Sequence, residues 1–299
     1  MLNAMRYSAW AATYGLKTKI LRRDIPFIGG LVLNDSCNLH CAQCRVANTG
    51  RADLTFDQAL GGLYRFREMG IRSVAITGGE PFHWTDGERR LEDVVKAART
   101  LGFLAVAIYT NGTYPIESSA DAIMLGMDGG RDATRRLRSD VFDRVMENVR
   151  RSNHRNIHIN FTINAKNRLE LDRFLEMVEA EPHLGGVFFN FHTPYYGKDE
   201  LFLGREERVA IARRLVSLKR HGSPILNSRA ALRAYIHDEW KRPSTVCQTF
   251  SKGKIYPCCR ENANPAACRH CGYLGYLEVL QVVNWSPSAI LEGFNYLKK

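Results

Sequence analysis

The chain has 299 residues, 45% of them hydrophobic, and 42 Lys+Arg against 31 Asp+Glu give it a formal net charge of +11. Its length suits one α/β barrel-like domain plus a small appendage, no apolar run reaches the roughly 20 residues that cross a bilayer, and the N-terminus lacks the apolar core and cleavage site of a secretory signal. Eight cysteines in such a chain predict metal ligation in a reducing, cytoplasmic setting rather than disulfides. The positive charge favours an anionic partner such as a phosphorylated small molecule or an acidic lipid surface. With no RNA-binding signature and no aromatic-basic repeat, nucleic acid is not expected.

Residues 1–28 form a basic segment in which Leu2, Met5, Trp10, Leu16, Ile20 and Leu21 are interspersed with Arg6, Lys17, Lys19, Arg22 and Arg23. Such a stretch suits either peripheral contact with the inner face of an anionic membrane or a cap packed over a barrel. Gly29 to Leu33 reads as a first strand and leads into Cys37, Cys41 and Cys44. Thr55 with Gln58 forms a capping box, and Phe56, Ala59, Leu60 and Leu63 share one face of the helix that follows. Ser73 to Thr77 is a second strand and runs into Gly78-Gly79-Glu80-Pro81. Further on, helices are predicted over Leu91 to Leu101, around Phe142 to Val149, and over Leu169 to Val178. Strands are predicted over Phe103 to Tyr109, Ala122 to Met127, Ile157 to Ile163 and Val187 to Phe191. Six strands alternating with helices predict an α/β fold, a partial (β/α)6 TIM-like barrel, over residues 29–222. A basic helix from Arg205 to Arg220 closes that region. The turn-rich remainder, 223–299, holds five cysteines and is expected to be a small metal-stapled module.

Three cysteines in C-x3-C-x2-C spacing are one short of a closed zinc site. On a 4Fe–4S cube they leave one iron open to another molecule. Together with Gly78-Gly79-Glu80-Pro81 the triplet resembles the radical S-adenosylmethionine (SAM) enzymes. Thr110-Asn111-Gly112, Met127-Asp128-Gly129 and Arg138 extend the resemblance, which covers roughly residues 29 to 192. It implies a 4Fe–4S cluster on Cys37, Cys41 and Cys44 whose open iron chelates SAM, and reductive cleavage of SAM to a 5′-deoxyadenosyl radical. A flavodoxin- or ferredoxin-like reducing partner would supply the electron. The resemblance places Gly78, Gly79, Glu80, Asn111, Asp128 and Arg138 at the SAM site. There the glycines admit close backbone approach, Glu80 meets the ammonium, and Arg138 forks onto the carboxylate. The plainer alternatives are a zinc site, a surface carboxylate at Glu80, a solvated basic face around Arg138 and a turn residue at Asp128. Two positions depart from the family pattern: Gln43 replaces a frequent aromatic, and Gly126 stands where relatives with extra clusters often carry Ser.

The second cysteine set, Cys247-x5-Gly253-x4-Cys258 with Cys268-x2-Cys271, resembles the auxiliary-cluster extensions called SPASM or twitch. Ser251-Lys252-Gly253 supplies a tight turn, and the resemblance implies one auxiliary 4Fe–4S cluster on Cys247, Cys258, Cys268 and Cys271. Cys259 competes with Cys258, and a structural zinc knuckle competes with the cluster. His192-Thr193-Pro194-Tyr195-Tyr196 and the Cys271-Gly272-Tyr273 tail resemble the branch that joins the adenosyl radical to hopanoid and related isoprenoid lipids. His192, Tyr195 and Tyr196 are therefore candidates for the substrate cavity. The expected activity is attack on an unactivated C–H or C=C bond of a small-molecule or lipid substrate, by an oxidoreductase or transferase. A peptide maturase, a small-metabolite oxidoreductase and, outside enzymes, a two-cluster electron carrier are the alternatives.

Overall fold

The computed structural model describes residues 10, 13–21, 25–259 and 264–296. Leu2, Met5, Arg6, Arg22 and Arg23 of the N-terminal segment lie outside them. The barrel begins with β1 (Ile28–Val32), then α1 (Phe56–Glu68), β2 (Ser73–Thr77), the small hairpin of β3 (Thr85–Asp86) and β4 (Arg89–Arg90), and α2 (Leu91–Thr100). It continues through β5 (Ala105–Thr110), β6 (Ala122–Gly126), α3 (Arg131–Arg138), α4 (Phe142–Arg151), β7 (Ile157–Ile163), α5 (Leu171–Glu179) and β8 (Leu184–Phe191). After it come α6 (Arg205–Arg220), α7 (Arg229–His237), β9 (Cys247–Ser251), β10 (Lys254–Pro257), α8 (Pro265–Arg269), α9 (Leu274–Val283) and α10 (Pro287–Tyr296).

The main sheet runs β10-β9-β1-β2-β5-β6-β7-β8. Its six barrel strands are parallel, as the alternation of strands and helices predicts. Side-chain size alternates across it. One cross-strand row reads Leu31–Ile76–Ile108–Ile123–Ile157, all without solvent exposure. This row faces the helices and carries the core. The adjacent row reads Gly30–Ala75–Ala107–Ala122 and faces inward. Neighbouring side chains in a strand point to opposite faces, so bulk goes outward and the barrel centre is hollow. A cavity of about 740 Å³ fills that centre.

The cysteine-rich tail is grafted onto this sheet. Strand β9 pairs in parallel with β1, with Cys247 opposite Ile28. Lys252 (φ 52°) and Gly253 (φ 72°) make the two-residue turn to β10, the positive-φ hairpin expected of such a pair. Helix α9 then reaches the opposite edge of the sheet. The Leu274 N–H donates to Asn190 Oδ1 of β8 at 2.7 Å, and the Phe191 N–H donates to the Gly272 carbonyl at 2.8 Å. Glu278 of α9 accepts from the Ser228 hydroxyl at 2.6 Å and from its N–H, at the N-cap of α7.

Helix α1 starts at the predicted capping box, with Thr55 Oγ1 accepting from the Gln58 N–H at 3.2 Å and the Gln58 side chain accepting in return at 3.0 Å. Its adjacent glycines have opposite surroundings. A Cβ on Gly62 would lie 2.6 Å from the Phe250 ring of β9, whereas one on Gly61 would meet nothing within 4 Å. Gly61→Ala is therefore expected to raise unfolding stability by about 0.5–1 kcal/mol through helix propensity. Gly62→Ala should lower it by about 1–3 kcal/mol through overpacking. Urea midpoints measure both, and shifts of equal sign would contradict this packing of α1 on β9.

Candidate active site

Cys37, Cys41 and Cys44 lie in the loop that leaves the C-terminal end of β1. Acidic and amide side chains shape that loop. Asp53 accepts from the N–H groups of Asp35 and Ser36 at 2.7 and 3.1 Å. Asp35 accepts from the Thr49 N–H and hydroxyl at 2.7 and 2.8 Å. Asn48, with φ 55°, accepts from the Cys37 N–H at 2.8 Å and donates to the Leu39 carbonyl at 3.0 Å. These three side chains were not singled out in the sequence, where Asp and Asn after a strand carry no signal beyond turn preference.

The Gly78-Gly79-Glu80 segment closes against the same loop. A Cβ on Gly78 would lie 2.1 Å from Asn34 Oδ1, and one on Gly79 2.0 Å from the Ser36 carbonyl oxygen. The two glycines thus admit the approach of the cysteine loop itself. The Glu80 carboxylate, placed in the sequence reading against a ligand's ammonium, is fully buried and turned into the protein. It accepts from Thr110 Oγ1 at 2.7 Å, from the Asn111 N–H at 2.6 Å and from the Phe82 N–H at 3.0 Å. Burial pushes its pKa up against the pull of these three donors. Asn111 in turn extends Nδ2 toward Cys37 Sγ at 3.7 Å and donates to Asn38 Oδ1 at 2.9 Å.

Asp128 and Arg138 form one buried ion pair, with Arg138 Nε and a terminal nitrogen 2.8 and 2.7 Å from Asp128 Oδ2. The guanidinium lies over Gly126, where a Cβ would be 3.0 Å from it. Glycine at this departure from the family pattern thus makes room for the arginine. Gln43 Nε2 also donates to Asp128, and its Oε1 is buried without a partner. Burial raises the Cys37 thiol and pushes Cys41 up to about 11, with the charge of Arg138 opposing the rise at Cys41. Such thiols are neutral until a metal displaces their protons. Three thiols in one loop, a buried cation beside them and an acceptor lacking a donor fit a 4Fe–4S cluster with SAM on its open iron.

Of the second cysteine set, Cys247 lines the cavity at the other end of β1. Cys247 sits beside the first residue of β1, whereas the triplet follows its last, and at about 3.3 Å per residue the two ends of that strand are about 13 Å apart. The Cys258 N–H donates to the Cys247 carbonyl at 2.9 Å, so the hairpin ends meet as expected. Cys259, Cys268 and Cys271 line the same wall. Burial raises Cys247, Cys268 and Cys271, the last to about 11. Among the described residues no three His, Cys, Asp or Glu side chains converge on a single-ion position. The Tyr273 hydroxyl donates to that of Tyr109 at 3.2 Å. Tyr195 lines the cavity, but His192 is turned to Asp199 at 3.1 Å, and Tyr196 faces solvent.

With this geometry in place, comparison with known proteins is direct. The family model described as Radical SAM superfamily matches residues 31–203, more than half of the chain, and the chain belongs to that superfamily. It is accordingly an enzyme of the 4Fe–4S and SAM class. A probable GTP 3′,8-cyclase of Saccharolobus solfataricus is 27% identical over 161 residues, 49% of this chain and 51% of that one. The chain thus spans about half the length of that relative. A probable GTP 3′,8-cyclase of Metallosphaera sedula is 23% identical over 268 residues, 81% of this chain and 74% of its own. Among solved structures, Streptococcus suis SuiB bound to SAM superposes with TM-score 0.63 at 16% identity, over 81% of this chain and 62% of that one. Native anSMEcpe with bound SAM and a peptide gives TM-score 0.60 at 17% identity, over 80% and 76%. These two likenesses establish the partial-barrel fold.

Two predictions follow from the buried charges. Arg138→Met leaves Asp128 unpaired in the interior and should cost about 3–5 kcal/mol in denaturant unfolding. A cost under about 1 kcal/mol, the range of exposed pairs, would mean that the pair is solvated. Glu278 has its pKa raised by burial from 4.5 to about 7. A carboxyl raised in the folded state contributes stability that is fully present below pH 4.5 and is lost as pH rises through 7. Glu278→Gln should therefore flatten the decline in stability between about pH 5.5 and 8. Parallel pH profiles for the two proteins would refute this assignment.

Proposed function

We propose that this radical SAM enzyme attacks an unactivated C–H or C=C bond of an apolar, isoprenoid-like lipid, with help from one auxiliary 4Fe–4S cluster. The observation that carries the reading is the cavity wall. Its described lining includes Gly30, Ala75, Ala107, Met124, Phe188 and Val282, and its basic groups amount to Arg242 alone, against the carboxylates of Glu278 and Glu292. A nucleoside triphosphate, as in the names of the curated relatives, calls for several cations around its phosphates. This wall offers one. An extended peptide calls for free backbone hydrogen-bonding groups along a strand edge, whereas the lining strands β9, β1, β2, β5, β6 and β7 each have a strand on both sides within the sheet.

In this reading Cys37, Cys41 and Cys44 would hold the SAM-binding cluster, and Gly78, Gly79 and Glu80 would belong to the SAM site. Arg138, fixed by Asp128, would hold the SAM carboxylate. Asn111 holds the Cys37 side of the loop, and the partnerless Oε1 of Gln43 would accept from an amino group. Cys247, Cys258, Cys268 and Cys271 hold the auxiliary cluster. When bound, the first cluster and SAM supply a 5′-deoxyadenosyl radical, and the protein supplies position and exclusion of water. A small reducing protein delivers the electron.

Anaerobic reconstitution should load about eight irons per chain, as two cubes require. Replacing Cys37, Cys41 and Cys44 by Ala should leave about four and abolish SAM cleavage. Replacing Cys247, Cys268 and Cys271 should also leave about four but keep reductive cleavage. Cys258→Ala should lose the auxiliary iron and Cys259→Ala retain it; the reverse pattern hands the fourth ligand to Cys259. Incubation with dithionite, SAM and polyprenoid or hopanoid extracts, read by mass spectrometry, should yield a modified lipid. Modification of GTP instead would overturn the substrate assignment.

A further inference from the structure

The cavity reaches the end of the barrel opposite the cysteine triplet. Ser73, Ala105 and Ala122, the first residues of β2, β5 and β6, line it, as do Tyr14, Trp285 and Ile290. The outer surface there is unusually apolar. Leu16, Ile20, Leu21, Trp285 and Leu291 are between 49% and 71% exposed, and they make up five of the eight large exposed hydrophobic residues among those described. Trp285 relates the N-terminal members to the cavity mouth. The turn carrying Leu16 is seated on Trp285, for a Cβ on Gly15 would lie 2.4 Å from the indole. Trp285 itself belongs to both the patch and the cavity wall, and Leu291 follows Ile290, which lines the cavity. Trp285 adopts φ 62° between α9 and α10, a conformation rare for a bulky residue and held here at the rim.

Basic groups border the patch. Lys17 and Arg229 are exposed, and Arg229 lines a smaller hollow together with Leu291. In the sequence, Lys17, Lys19, Arg22 and Arg23 are interspersed with Leu16, Ile20 and Leu21. Apolar side chains that insert among headgroups, ringed by cations that attract anionic lipid, are the make-up of an interfacial membrane contact.

We infer that this face docks on an anionic phospholipid bilayer and that the barrel is loaded with its lipid from there, through the end remote from the SAM cluster. The inference rests on the apolar-substrate reading for the cargo, and on the exposed patch for the docking. A protein occupant would seal the mouth of an apolar cavity, whereas a bilayer leaves it open to an apolar pool. The substrate then threads along the strand axis. Its reacting carbon lies at the deep end near the triplet, and its tail lies toward Trp285.

The test is sedimentation of the reconstituted holoenzyme with vesicles of phosphatidylcholine alone or mixed with phosphatidylglycerol. The enzyme should bind the anionic vesicles. The double substitution Ile20→Glu with Leu291→Glu should weaken that binding by at least about tenfold, while SAM cleavage without added substrate stays at the wild-type rate. Brominated lipids should quench the tryptophan emission, and Trp285→Phe should remove most of that quenching. Failure to bind anionic vesicles, or binding that is lost in salt yet indifferent to the double substitution, overturns the docking face. A soluble dimer dispersed by the double substitution also overturns it, because a second copy then covers the patch. A lipid product from an enzyme that binds no vesicles refutes the docking alone. A polar product refutes the apolar-substrate reading and the loading route with it.

Discussion

The buried carboxylate of Glu80 accepts one hydrogen bond from its own turn, at Phe82, and two from the end of β5, at Thr110 and Asn111. The Glu80 carbonyl accepts from Asn34 Nδ2 at 2.9 Å, so the chain leaving β1 is tied to the same residue. Three strand ends are thereby fixed to one another at the place where the triplet loop departs. A buried carboxylate without these donors would cost several kcal/mol or take up a proton, so the constraint is specific. Asn111, which reaches toward Cys37 Sγ, is placed by its own N–H on Glu80. The position of one thiol thus depends on a carboxylate in the next loop.

The second determinant is the division of bulk across the sheet. Large aliphatic residues on the helix-facing row bury the area that stabilises the barrel, and the inward row of Gly30, Ala75, Ala107 and Ala122 leaves room for a ligand. Such a hollow forgoes packing inside the barrel, which the helices and α9 offset from outside. Helix α9 is central to that arrangement. It bridges β8 through Leu274, is anchored to α7 through Glu278, and brings Tyr273 to Tyr109. The tail therefore walls the cavity and presents its cysteines to the interior.

Much of this could be read from the chain. The strands over Ser73 to Thr77 and Ile157 to Ile163, the capping box at Thr55 and the helix from Arg205 to Arg220 follow from local pattern, and the structure has them at the predicted bounds. Lys252-Gly253 foretold the hairpin. The partners of buried polar groups could not be read in this way. Nothing near Gln43 in sequence points to Asp128, which lies 85 residues on. Gly78 and Gly79 look alike whether a ligand or the cysteine loop fills the space beside them. Helix α3 carries no apolar stripe in the sequence, for of its buried residues Ala133, Thr134 and Leu137 only two are apolar. The pairing of β9 with β1 joins segments more than two hundred residues apart, and neither strand carries a local sign of the other.

The net charge of +11 admits a sharper reading once the cavity wall is known. Arg135, Arg136, Arg150, Arg151, Arg213 and Arg220 are exposed on the outward faces of helices, while the described lining of the cavity carries more carboxylates than cations. The charge therefore faces what surrounds the protein rather than what it transforms. A basic exterior around an apolar interior is a division of the chain's charge that composition alone cannot reveal. Because the triplet occupies one end of β1 and the exposed apolar residues surround the other, the loading route proposed above would run along the strand axis, between ends that the same parallel sheet holds apart.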